Sequence, residues 1–316
     1  MNQTLSGITG QFDYWRQAAL PAALTDRSAT HIVVGCGTSY NLALSIAAAL
    51  NAAGLQALAV PAGEWVLRPT AYLASGAARV IALSRSGETT ETLQAARVSR
   101  ARGLNVTGIT CAPGSALSGA SDVALEFVTH PAEGVVMTAS ASLMLLAGYA
   151  LAGHFVDAAL TFRAAALADA MGDIPVEAYA GRSHFVFLGG GSQYGVALEG
   201  ALKLQEMAIT YTQAFHPGEY RHGPLSLVDH RTAIVMLYHP DTARDEAALV
   251  AELQAMGAWV LGFGGPGDIS LAVGAGAPLC GLEVLPALQM LGERYAVAHG
   301  IDTTTPRHLT KVVVLG

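Results

Sequence analysis

Three charged side chains stand at helical spacing in Glu199-Gly-Ala-Leu-Lys203-Leu-Gln-Glu206. Steps of four and three residues put Glu199, Lys203 and Glu206 on one face of a mostly apolar helix. A carboxylate in such a place could take up and return a proton in acid–base chemistry. The solvated edge of a buried helix would show the same stripe. Downstream, Phe215-His-Pro-Gly-Glu219-Tyr-Arg-His222-Gly-Pro-Leu-Ser-Leu-Val-Asp229 is a polar loop with turns at Gly218, Gly223 and Pro224. It presents His222, a residue type able to titrate near neutrality. A lone histidine, however, is usually structural.

Two further stretches could hold a phosphate. Ser84-Arg-Ser-Gly-Glu-Thr-Thr-Glu-Thr92 follows a predicted strand and opens a predicted helix. Backbone N–H groups at a helix N-terminus converge on an anion, and Ser84, Ser86, Thr89 and Thr90 add hydroxyls. Gly87 permits close backbone approach. An ordinary N-cap, Ser86-x-x-Thr89, would fit the same letters. Gly35-Cys-Gly-Thr-Ser39 makes a second glycine turn after a strand. It lacks the third glycine of a dinucleotide fingerprint, Tyr40 standing in its place, and no acidic residue follows to hold a ribose. No nicotinamide site is expected. Both loops lie at carboxyl ends of strands, where open α/β sheets bind ligands, so they could flank one pocket.

The elements that must carry these residues occur twice. Thr30-HIVVGCGTSYNLA-Leu44 matches His184-FVFLGGGSQYGVA-Leu198, with Gly35, Gly37, Tyr40 and Leu44 facing Gly189, Gly191, Tyr194 and Leu198 at an offset of 154. The register persists to Arg102-Gly103 against Met256-Gly257, as a duplicated domain requires. Each copy predicts a strand (Ile32–Val34; Phe185–Leu188), a glycine turn and a long helix. A second strand (Val80–Leu83; Ala233–Leu237), an amphipathic helix (Glu91–Arg102; Asp245–Met256) and a third strand (Val106–Thr110; Trp259–Phe263) follow. Such alternation predicts α/β architecture: two tandem doubly wound, flavodoxin-like domains with parallel sheets, residues 1–160 and 161–316. The linker is expected between about Leu151 and Arg182. In the second copy Tyr238-His-Pro-Asp-Thr-Ala-Arg replaces the phosphate loop, which suggests a division of labour.

Composition narrows the partners. Of 316 residues 52% are hydrophobic and 13% charged, and mean hydropathy is +0.40. The most apolar stretch, Val135–Gly153, carries Thr138, Ser140, Ser142 and Gly148, so it reads as a buried helix and not a membrane span. Net charge is −7 with no Lys/Arg cluster, against nucleic acid or an anionic membrane as partner. The N-terminus shows no secretion signal. Cys36, Cys111 and Cys280 are scattered, with no metal-ligand spacing. A cytoplasmic location without metal or other cofactor is expected.

Together, CGTSYN (36–41), SRSGETTET (84–92), ALEGALKLQE (197–206), GEYRHGPLSLVD (218–229) and PRHLTK (306–311) closely resemble the sugar isomerase (SIS) family. The resemblance is to the isomerase half of glutamine–fructose-6-phosphate amidotransferase and to its glutaminase-less deaminase relatives. It implies a homodimer acting on hexose 6-phosphates. It implies that Ser84, Ser86 and Thr89 bind the phosphate, with Arg85 where the synthase has glutamine. Gly37, Thr38 and Ser39 add the CGTS turn, and Glu199 is counted with the binding residues. The resemblance assigns Glu206 as the proton shuttle between C1 and C2, and Lys203 as a neighbour of the sugar hydroxyls. His222 would assist ring opening from the partner subunit, and Lys311 would approach the open-chain carbonyl, where a lysine can stabilise an enediolate oxygen or form an imine.

Departures shape the expected reaction. Nothing before Cys36 could serve as a glutaminase nucleophile, so glutamine-dependent synthesis is not expected of this chain. The family's EVASTK-like segment reads Glu133-Gly-Val-Val-Met-Thr138-Ala-Ser140, without lysine, and the lysine of its KHGP loop is Arg221, with different geometry. The leading expectation is a deaminase-isomerase interconverting glucosamine 6-phosphate with fructose 6-phosphate and ammonia. The alternatives are a deglycase of amino-acid–6-phosphosugar adducts and a non-catalytic phosphosugar sensor. The sensor accounts less well for Lys203, Glu206, His222 and Lys311 occurring together.

Overall fold

Short runs of β-branched and apolar residues, each closed by a glycine or polar turn, form the strands of the computed structural model, which describes residues 2–73 and 76–313. The chain divides into two compact units: Gly10–Val156 with the tail from Thr310, and Asp157–Leu309 with the segment before Gly10.

In the first unit β1 (Thr30–Gly35), β2 (Ala57–Pro61), β3 (Ala78–Leu83), β4 (Asn105–Thr110) and β5 (Val123–Glu126) make one parallel sheet in the order β2-β1-β3-β4-β5. In the second, β6 (His184–Gly189), β7 (Thr212–Phe215), β8 (Thr232–Leu237), β9 (Trp259–Phe263) and β10 (Ile269–Leu271) repeat that order, β10-β9-β8-β6-β7. Both are doubly wound, flavodoxin-like sheets, and the predicted α/β class holds in each. The order reverses direction between β1 and β3, and again between β6 and β8. That switch opens a crevice at the strands' carboxyl ends.

The central strands carry apolar residues on both faces because helices cover both. Ile32, Val33, Val34 and Val80 are fully buried, as are Val186, Leu188, Ile234 and Met236. Truncating one of these to alanine would cost about 2–5 kcal/mol where an isoleucine or leucine is lost. The six predicted strands form, extended by up to two residues at their ends. The helices after β3 and β8 are Thr90–Ala101 and Ala243–Ala255. The apolar stretch near Val135 folds as a thirteen-residue helix, Ala139–Leu151, buried throughout. No helix among the described residues is long and apolar enough to cross a membrane. Within the expected linker lies a helix, Ala158–Asp173, capped by the Asp157 carboxylate accepting the Leu160 N–H at 2.7 Å.

The duplication reaches atomic detail. A Cβ on Gly35 would lie 2.6 Å from the Ser39 carbonyl carbon, and one on Gly189 would lie 2.7 Å from the Gln193 carbonyl oxygen. At both points the helix start packs against the end of the strand so closely that only glycine fits.

Candidate active site

In the first unit the turns after β1 and β3 stand side by side, because those strands pair directly. Gly37 is exposed, whereas Thr38 and Ser39 are buried in the first turn of the helix Thr38–Ala52. After β3, buried Ser84 organises the loop: its hydroxyl donates to Thr89 Oγ1 at 3.2 Å and accepts the Gly87 N–H at 3.1 Å. Ser86 Oγ accepts the Glu88 N–H at 3.2 Å. Gly87 has φ +67°, and a Cβ there would collide with Ser115 Oγ. Thr89 is the N-cap residue of Thr90–Ala101, and no side-chain oxygen caps that helix. The Ser86-x-x-Thr89 pattern therefore builds a loop with hydroxyls at a helix N-terminus, as anion binding needs.

Arg85 turns from this loop into the unit. Only 8% exposed, its guanidinium donates to the carbonyls of Gly134 and Val135 at 3.0 Å and of Lys311 at 2.8 Å. Lys311 Nζ donates to the Glu133 carbonyl at 2.8 Å. The Glu133 carboxylate sits at the start of the helix Ala139–Leu151. There Oε1 accepts the N–H groups of Thr138 and Ser140 and the Thr138 hydroxyl, while Oε2 accepts the Thr129 hydroxyl. An internal carboxylate thus stabilises that helix N-terminus through its dipole and orphan donors.

In the second unit the helix Gln193–Ala208 carries the acid–base candidates, and the charged stripe is buried where it was legible as a solvated edge. Lys203 is fully buried, its Nζ 3.2 Å from Glu199 Oε1 and 2.5 Å from Glu206 Oε2. Glu199 is equally buried, but the Glu206 side chain keeps 21% of its surface exposed. Burial pulls the lysine's pKa down, yet the attraction of Glu199 and then Glu206 outweighs it and holds the ammonium above its ordinary value. One charged lysine therefore anchors two carboxylates, of which one reaches solvent.

The loop after β7 begins with the short helix Pro217–Tyr220. His222 is exposed, and its imidazole has no hydrogen-bond partner among the described residues. Arg221 forms a two-pronged pair with Glu252, at 2.7 and 3.2 Å. His216 stacks on Tyr194 with ring centroids 3.9 Å apart, and burial lowers its pKa. These elements border a cleft of about 330 Å³ reaching Thr242, Asp245 and Glu246 at the start of Ala243–Ala255. Buried Glu246 accepts the His239 N–H and the Thr242 hydroxyl, both at 2.8 Å.

Thus Gly37, Thr38, Ser39, Ser84, Arg85, Ser86, Thr89 and Lys311 belong to one unit, and Glu199, Lys203, Glu206 and His222 to the other. Sequence reasoning missed Glu133 and Glu246. Each could have been suspected as a carboxylate a few residues from a helix start lacking its own cap. Among the described residues no group of three His, Cys, Asp or Glu side chains could hold a metal ion.

A parallel, doubly wound sheet with a glycine turn at its switch point, occurring twice, places the chain among flavodoxin-like α/β proteins with tandem domains. The SIS domain model matches residues 24–153 and 179–309, and the chain belongs to that family. It is 33% identical over 311 residues to a glutamine–fructose-6-phosphate aminotransferase [isomerizing] of Pyrobaculum aerophilum, covering 90% of this chain and 51% of that protein. The corresponding protein of Caulobacter vibrioides is 32% identical, covering 95% and 54%. The chain spans about half the length of these curated relatives. A crystal structure of glucosamine-6-phosphate deaminase from Thermotoga maritima superposes with a TM-score of 0.84 at 32% identity, covering 99% of this chain and 100% of that one.

Proposed function

We propose that this chain is an enzyme of hexose 6-phosphates that interconverts glucosamine 6-phosphate and water with fructose 6-phosphate and ammonia. The observation that carries the reading is Glu206: a carboxylate with one face in solvent, fixed at 2.5 Å by a lysine that is itself wholly buried. A proton shuttle needs a carboxylate that is accessible, ionised and unable to swing, and a buried charged partner supplies the last two. The Thermotoga deaminase, similar over its whole length, supports the same direction.

In this reading the phosphate rests on Ser84, Ser86 and Thr89 beside Thr38 and Ser39, in the repeat covering residues 1–160. The acid–base residues come from residues 161–316. His222, exposed on its loop, serves the ring oxygen of sugar held by a second copy of the chain, which makes the working unit a homodimer. Glu206 takes the proton from C2 of the open-chain aminoaldose and delivers it to C1. As that proton moves, one amine proton passes to the C1 oxygen, so the amine at C2 becomes a C2=N imine and the C1 aldehyde becomes the C1 alcohol. Water then adds to C2 and ammonia leaves. The Lys311 amine stabilises the oxygen at C1 while the enolate-like charge is present.

The test is incubation of the protein with glucosamine 6-phosphate, following ammonia and fructose 6-phosphate together. Equal release of both is expected, and Glu206→Gln should lose about 10²- to 10⁴-fold in kcat while still binding fructose 6-phosphate. If neither product forms although fructose 6-phosphate binds, the deaminase reading falls, and amino-acid adducts of 6-phosphosugars become the substrates to assay.

A further inference from the structure

Arg85 stands within the loop assigned to the phosphate, yet its guanidinium is turned to the carbonyls of Gly134, Val135 and Lys311. One side chain therefore joins three segments that are distant in sequence: the turn after β3, the strip before the helix Ala139–Leu151, and the C-terminal tail. Its own carbonyl accepts the Cys111 N–H at 3.0 Å and the Thr110 hydroxyl at 3.2 Å, so the backbone from which it reaches is fixed. The tail has two further ties to the same neighbourhood. The Val313 carbonyl accepts the Thr90 N–H at 3.5 Å, and Lys311 Nζ meets the Glu133 carbonyl. Glu133 is itself immobilised by its four accepted hydrogen bonds.

We propose that Arg85 is a positioning residue, a latch that fixes the backbone of Lys311 to the phosphate loop and so sets where the lysine amine stands. The inference rests on the reading of Lys311 as the amine at the open-chain carbonyl. The chemistry requires arginine. A guanidinium offers five N–H donors in a rigid fork, enough for three carbonyls at once, whereas glutamine has two on a shorter stem and lysine's ammonium is a point donor.

Arg85→Gln and Arg85→Lys test this through three readings: fructose 6-phosphate affinity by calorimetry, kcat and KM for glucosamine 6-phosphate, and tryptic cleavage after Lys311 by intact mass. For Arg85→Gln, affinity and KM should stay within about threefold, because no substrate contact is removed. Its kcat should fall about 10- to 100-fold, the scale of a misplaced reacting group. Cleavage after Lys311 should quicken about tenfold or more as the tail detaches. Arg85→Lys should lie between, and carries the same readings if the glutamine variant does not fold. Unchanged kcat and unchanged tail protection overturn the proposal. A rise in KM and loss of affinity at constant kcat overturn it too, and would make Arg85 a substrate contact. If the unaltered protein does not turn over glucosamine 6-phosphate, the proposed reaction fails, whereas tail protection still decides the latch.

Discussion

Replacing Lys203 with methionine removes the one cation between two carboxylates and leaves the stem's packing nearly intact. Lys203 and Glu199 are both wholly buried with their charges 3.2 Å apart, so the substitution takes a neighbouring ammonium from Glu199 in a low-dielectric interior. Breaking a buried pair from one side costs about 3–5 kcal/mol. At about 2–4 °C per kcal/mol for a unit of this size, Tm should fall by roughly 6–20 °C. Replacing Glu199 with glutamine as well removes that buried charge, so the double variant should recover about 2 kcal/mol or more in a urea-unfolding cycle. The pH dependence has a defined sign. In the unaltered protein the lysine's folded pKa is raised, so its contribution is complete below the ordinary lysine value of 10.5 and is lost only as pH climbs through the folded one. A loss under about 1 kcal/mol, or two substitutions that simply add, would refute the view that this cluster holds a buried charge which needs its partner.

Other consequences concern the loops and helix starts. Gly87→Ala would place a side chain at φ +67° against Ser115 Oγ, so fructose 6-phosphate affinity should drop about tenfold or more by calorimetry; unchanged affinity would mean the loop does not set the anion site. Glu133→Gln, at a carboxylate accepting four hydrogen bonds, should cost about 2–3 kcal/mol in urea unfolding, and a cost near zero would deny it the helix-start role. Burial raises the Glu246 pKa above the usual carboxylate value, despite the His239 and Thr242 hydrogen bonds. A raised carboxylate pKa costs stability at neutral pH and less as pH falls, so the protein should gain on Glu246→Gln between pH 7 and about 5. A difference that widens against the protein on acidification would contradict that assignment.

The three inner strands of each copy and the two helices after β3 and β8 were legible because their signals are local. Buried strands such as Ile32–Val34 read as apolar runs, and the glycine turns recur at a fixed offset. The short strands β2, β5, β7 and β10 were not, since three to five residues of mixed polarity, as in Thr212–Phe215, carry no period of their own. The helical face of Glu199, Lys203 and Glu206 followed from spacing alone, but spacing cannot tell a solvated stripe from a buried cluster. That was decided by what covers the helix. Arg85 shows the same limit more sharply. Its place in a Ser/Thr loop pointed to substrate, whereas the direction of a long side chain depends on acceptors 49 to 226 positions away.

The second repeat explains why one copy alone has the anion loop. At the repeat offset of 154, Glu246 corresponds to Thr92 in the helix that follows the phosphate loop. Its carboxylate takes an N–H from His239 and a hydroxyl from Thr242, which are the kinds of donor that Ser84, Ser86 and Thr89 gather in the first copy. The second copy therefore carries its own carboxyl oxygens at the helix start, and the donors a phosphate would need there are already taken. A fold duplicated whole begins with two equivalent crevices. Under the proposed function, filling one from within commits the substrate to the other. On that argument Glu246→Gln should not create a second phosphosugar site, because the hydroxyl loop is gone as well. Both losses would have to be reversed together.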